Sequence, residues 1–145
     1  LKKELIMGTI EMTSEYLNEL ANNFILISAL LAGFSIAYIA NIIVSKNNNR
    51  ISNSLLIIAT VAACCFLVSV FGLTKLLQMT TDGYPLEIEQ KDFDFPRKIS
   101  GAAFMIGIIA LSSLIALSGW MKSKTIGIIT TIIGILTLII LLMVS

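Results

Sequence analysis

Residues 24–44 read FILISALLAGFSIAYIANIIV, an apolar run free of formal charge that with Asn23 makes a first span, 23–44. A helix needs about 20 such residues to cross the hydrocarbon of a bilayer. Three more runs follow: 55–77 (LLIIATVAACCFLVSVFGLTKLL), 101–120 (GAAFMIGIIALSSLIALSGW) and 125–144 (TIGIITTIIGILTLIILLMV). The chain therefore reads as an all-α integral membrane protein with four transmembrane helices in a single membrane domain, 1–145. Residues 1–22 form an amphipathic helical extension of the first span, and 78–100 a polar connector. The expected location is the cell membrane, multi-pass, with the lipid bilayer as the first partner.

Composition agrees with this reading. Of 145 residues, 57% are hydrophobic and 13% charged, against about a quarter charged in a soluble domain; mean hydropathy is +0.93. Four spans consume roughly 80 residues, leaving too few for a soluble catalytic domain of about 100. The absence of His removes imidazole base catalysis, His-ligated haem and most zinc sites. Cys64 and Cys65 are adjacent within an apolar run, where a disulfide would be strained and no CxxC motif exists; they read as small packing residues. No nucleophile, base or metal set is present, so neither an enzyme nor a cofactor is expected. A net charge of +1 gives no footprint for direct nucleic-acid binding.

The segment before the first span lacks the apolar h-region of a signal peptide and is expected to belong to the mature protein. Its apolar residues recur at helical spacing, and no Pro or Gly interrupts a helix from about Ser14 into the span. The tight MKSK connector makes the last two spans antiparallel. The N-terminus, the long connector and the C-terminus then share one side of the membrane. All nine acids (Glu4, Glu11, Glu15, Glu19, Asp82, Glu87, Glu89, Asp92, Asp94) fall on that side, while the short connectors carry Lys46, Arg50, Lys122 and Lys124. Lys and Arg near span ends set orientation, and Lys75, Lys91, Arg97 and Lys98 balance the four in the short connectors. Sidedness stays open on this count.

An intramembrane acid or Lys marks proton or cation coupling, and the span interiors contain none, which argues against a proton-coupled multidrug transporter. Most Ser and Thr within the spans are expected to bond carbonyls of their own helix. Span one holds Ala29, Gly33 and Ala37 at small-xxx-small spacing, with Ser28, Ala32, Ser35 and Ala40, and suits a crowded centre. Span four is rich in Ile and Leu and suits a lipid-facing place. A central span one and a peripheral span four imply a homo-oligomer.

From SALLAGFSIAYIANII in the first span and LLIIATVAACCFLVSVFGL in the second, together with Ala103, Phe104 and Trp120-Met121-Lys122 in the third, the chain resembles the Orai calcium-release-activated channels. The resemblance covers roughly residues 17–123 and is weakest in the connectors. It implies a central pore lined by span one, with spans two and three around it and span four outside. Leu30, Phe34 or its neighbour Gly33, and Ala37 match the family's hydrophobic pore section. Asn41 matches the position of the filter Glu. An amide ring offers neutral dipoles where a carboxylate ring offers hard anionic oxygens, so strong Ca²⁺ selectivity should be absent. Asn22 and Leu26 stand where the family carries its basic ring. The family's C-terminal sensor-binding helix has no counterpart before Ser145, so gating by that partner is not implied.

At 100° per residue, Glu11, Glu15, Glu19, Asn22, Leu26, Leu30, Gly33, Ala37 and Asn41 fall in one stripe roughly 120° wide. Rings of the three Glu would form an anionic vestibule that concentrates cations, with Leu26 and Leu30 as a dewetting gate; a solvated helix face is the simpler alternative. In the long connector, YPLEIEQKDFDFP alternates apolar and acidic residues in the period of a half-buried strand. Glu87, Glu89, Asp92 and Asp94 there form a candidate ligand site, or a solvated loop with apolar anchors. The function expected is an oligomeric ion channel, cation-conducting and opened by a small-molecule or protein trigger, in the manner of effectors that depolarise the membrane in antiphage defence. The alternative is a non-conducting scaffold or subunit that docks another membrane protein.

Overall fold

A computed structural model describes the backbone of residues 2–45, 49–81 and 90–144, and the side chains of 16, 18–45, 49–79, 81 and 94–143. The described residues form four helices: α1 (Lys2–Val44), α2 (Arg50–Thr80), α3 (Gln90–Ser118) and α4 (Lys124–Val144), with one 3₁₀ turn, Gly119–Met121, between α3 and α4. Each contains a stretch long and apolar enough to cross a membrane: Asn18–Val44, Arg50–Met79, Asp94–Met121 and Lys124–Met143.

The helices form because an apolar chain in hydrocarbon must satisfy its backbone internally. Their hydroxyls follow the same logic. Ser35, Thr60, Thr74, Ser113 and Thr137 each donate to the carbonyl four residues back, at 2.7–2.8 Å. α2 begins after Asn49 in extended conformation and stops at Thr81, again extended.

Sequential helices pack on one another, α1 on α2, α2 on α3 and α3 on α4. Within the chain α2 and α3 hold the centre; α1, read from its small residues as the crowded helix, lies to one side. Small residues make much of the contact between α1 and α2. Ser28, Ala32 and Ser35 on α1 and Ser52, Ala59, Ala62 and Ser69 on α2 are all buried, as expected where close backbone approach rather than water exclusion holds helices together. Around Ala32 and Ala62 the rings of Phe24, Phe66 and Phe104 interlock. Phe24 meets Phe104 edge-on at 5.0 Å and Phe66 meets it at 6.1 Å. A second cluster joins Leu55, Ala59 and Leu114 to Tyr38 and Ile39.

α4 is attached through glycines. A Cβ on Gly127 would fall 2.7 Å from the Trp120 ring, and one on Gly134 3.2 Å from the Ser112 carbonyl. Trp120 Nε1 donates to Thr131 Oγ1 at 3.1 Å and Thr130 Oγ1 to the Ala116 carbonyl at 3.2 Å. The remaining surface of α4 is mostly exposed Ile, Leu and Met, with Thr137 among them.

Two local expectations are corrected. The alternation in the long connector does not make a strand where it is described: from Gln90 onward the chain is helix, continuous through Pro96. Only Asp92, Phe93, Asp94 and Phe95 alternate there, within the helix, and Pro96 in its second turn removes the amide donor to the Asp92 carbonyl and crowds that carbonyl without ending the helix. Cys64 is exposed and Cys65 half-buried; Ala62, Ala63 and Phe66 make the packed face of α2 instead.

Candidate functional site

The first helix turns two different faces outward and inward. Ala21, Ser28, Ala32 and Ser35 are buried against the rest of the chain. At 100° per residue they centre almost opposite Leu30. On the other side Asn22, Leu26, Leu30, Gly33, Phe34, Ala37 and Asn41 are all exposed, with Leu26 and Leu30 at 62% and Phe34 at 66% of full accessibility. The seven residues singled out in the sequence thus share one face that is exposed among the described residues. A Cβ built on Gly33 meets nothing within 4 Å, so this face contains a notch beside Leu30 that no described residue fills.

Of the two small-residue ridges on α1, only one is used internally. Ser28, Ala32 and Ser35 meet α2, and Ser28 Oγ donates to Ser69 Oγ at 3.5 Å. Ala29, Gly33 and Ala37 stay exposed, as does Ala40. Tyr38, the aromatic in mid-span, belongs to the internal cluster with Leu55 and Leu114 and is withdrawn from the outer face. Asn22 and Asn41 bracket the apolar stripe. Nineteen residues at 1.5 Å per residue separate them by about 28 Å, close to the ~30 Å hydrocarbon thickness.

The acidic candidates are only partly in view. Glu19 is exposed on α1 and Asp94 on α3. The backbones of Glu11, Glu15 and Asp92 lie in helices, but their side chains, like Glu87 and Glu89 altogether, lie outside the described residues. Among the described residues no group of three or more His, Cys, Asp or Glu could hold a metal ion. Sequence reasoning passed over the glycines at 107, 119, 127 and 134, because what crowds each of them belongs to another turn or helix: side chains at 107, 119 and 127, and the Ser112 carbonyl with Ala116 at 134.

The fold and its apolar surfaces define a multi-pass helical protein whose four helices are each able to span a bilayer. No protein-family model, no curated protein and no solved structure matches the chain. The functional reading therefore rests on the residues of α1 themselves.

Proposed function

We propose that the protein is a subunit of a homo-oligomeric ion channel in the cell membrane, with the exposed face of α1 turned to a central pore. The supporting observation is the contrast between two unpartnered faces. The outer surface of α4 presents Ile128, Ile132, Ile135, Leu136 and Ile139, a uniform apolar surface suited to lipid. The outer surface of α1 interleaves Leu26, Leu30 and Phe34 with Ala29, Gly33, Ala37 and Asn41. Lipid contact accounts for the large residues but not for the small ones and the amide in the same stripe. Symmetric packing of α1 helices accounts for both: small residues let neighbouring helices approach while Leu26 and Leu30 narrow the lumen into a dewetting gate.

The conducted ions are cations, drawn by Glu11, Glu15 and Glu19 on the extension of α1, and Asn41 replaces a carboxylate filter by amide dipoles. A ligand or partner opens the gate, and opening depolarises the membrane. The exposed ridge Ala29-Gly33-Ala37 also supports a second reading, a non-conducting scaffold that docks another membrane protein. Self-assembly separates the two, since a pore needs a symmetric homo-oligomer.

Planar-bilayer recording from purified protein tests the channel. In asymmetric KCl with CaCl₂ on one side, Leu30→Ser wets the constriction and is expected to give a sustained current that favours K⁺ over Cl⁻ without preferring Ca²⁺. Silence of both wild type and Leu30→Ser, with the oligomer intact, favours the scaffold. In the conducting background, changing Glu11, Glu15 and Glu19 together to Gln is expected to lower cation conductance several-fold at low salt, and less at high salt where charges are screened. An unchanged current removes the vestibule.

A further inference from the structure

The membrane-crossing stretches of α1, α2 and α3 each have one end on the side of the long connector. Leu20, Leu76 and Arg97 stand two or three residues inside the ends of their membrane-crossing stretches, at Asn18, Met79 and Asp94. Between them opens a cleft of about 250 Å³. Its wall is mostly hydrocarbon, including Phe24 and Phe104, and the polar residues that line it are Ser69, Ser100 and Arg97.

The cleft exists because side chains are missing where three helices meet. Gly101 lines it, and a Cβ built there meets nothing within 4 Å. The space is just below the ~300–1,000 Å³ of pockets that enclose a whole small molecule. It fits a segment of a flexible chain whose remainder lies outside. Within a bilayer such a groove is filled by lipid.

Charge decides which lipid. Arg97 and its neighbour Lys98 are exposed at the level where long cationic side chains reach phosphate. Among the described residues no carboxylate lines the cleft; Glu19 and Asp94 are exposed and stand outside its wall. The planar guanidinium matches phosphate oxygens in pairs. We propose that this cleft binds one anionic phospholipid of the adjacent leaflet, a segment of acyl chain against Gly101 and Phe104 and the phosphate on Arg97. The site stands whether or not α1 lines a pore.

Native mass spectrometry of the full chain in detergent, offered equal amounts of phosphatidylglycerol and phosphatidylcholine, tests this. Wild type is expected to retain phosphatidylglycerol in preference, one per protomer. Arg97→Gln removes a charge-assisted contact and is expected to lower phosphatidylglycerol affinity about tenfold, towards that of phosphatidylcholine. Gly101→Leu puts a branched side chain into the cleft from a position whose Cβ meets no atom within 4 Å and improves helix propensity, so it is expected to lose both lipids while keeping its helical circular dichroism. Equal retention of the two lipids by wild type, or undiminished phosphatidylglycerol binding by both variants, overturns the proposal. Displacement of the lipid by inorganic phosphate alone also overturns it, in favour of a free-anion site.

Discussion

Gly107→Ala is expected to destabilise the protein by about 1–3 kcal/mol, while Gly101→Ala, six residues earlier on the same helix, stabilises it by up to about 1 kcal/mol. Helix propensity favours both changes, because Ala loses less backbone freedom than Gly. Space then decides the sign. A Cβ on Gly101 meets nothing, whereas one on Gly107 would fall 2.8 Å from Phe66 Cε1 and 3.0 Å from Cδ1 and Cζ. Phe66 is fully buried, and its ring is held edge-on against Phe104, which in turn meets Phe24. The ring cannot retreat without moving α1 and α3 together, so the added methyl strains the one aromatic cluster that joins all three helices. Far-UV circular dichroism through a thermal or denaturant-induced transition in micelles measures both variants. Phe66→Leu in the Gly107→Ala background is expected to recover part of the loss, a favourable coupling that a double-mutant cycle reads directly. Wild-type stability of Gly107→Ala would mean that Phe66 is not seated in the notch of α3.

The four helices were legible because span length is set by the bilayer and apolar run length is written in the chain. The exposed stripe of α1 was legible as well, since helical periodicity alone groups Asn22, Leu26, Leu30, Gly33, Ala37 and Asn41. Periodicity could not say which small ridge meets α2. Ser28, Ala32 and Ser35 are offset by only one or two residues from Ala29, Gly33 and Ala37, and only the partner helix distinguishes them. The same holds for Gly107, whose necessity comes from Phe66, and for Gly127, whose necessity comes from Trp120. The alternation around Phe93–Phe95 misled because a period-two pattern only a few residues long competes poorly with a helix that continues to Ser118. The cleft beside Arg97 had no signal in any single segment, because three helices each contribute part of its wall.

Asn41→Glu is expected to convert a weakly selective cation current into one blocked and then carried by Ca²⁺. In the channel reading, Asn41 lies on the pore stripe, exposed, one turn from the end of α1 at Val44. A carboxylate there stands near the membrane surface, where ionised groups cost far less than at the bilayer centre. A ring of them supplies several hard anionic oxygens to one divalent cation, and in a narrow pore of low effective dielectric their attraction greatly exceeds that of amide dipoles. At low Ca²⁺ the bound ion obstructs K⁺, and at higher Ca²⁺ mutual repulsion between adjacent ions lets them move on. The measurement is made in the Leu30→Ser background so that the gate is already open. Submillimolar Ca²⁺ should then suppress K⁺ current in the Glu variant and leave the Asn parent unaffected, and the reversal potential in asymmetric CaCl₂ should move towards the Ca²⁺ equilibrium value. Asn41→Asp, with a shorter reach but the same charge, is expected to show block with weaker selectivity. If both acidic variants conduct like the parent, Asn41 does not face the ion path, and the stripe on α1 meets the pore, if at all, only through its Leu26–Ala37 portion.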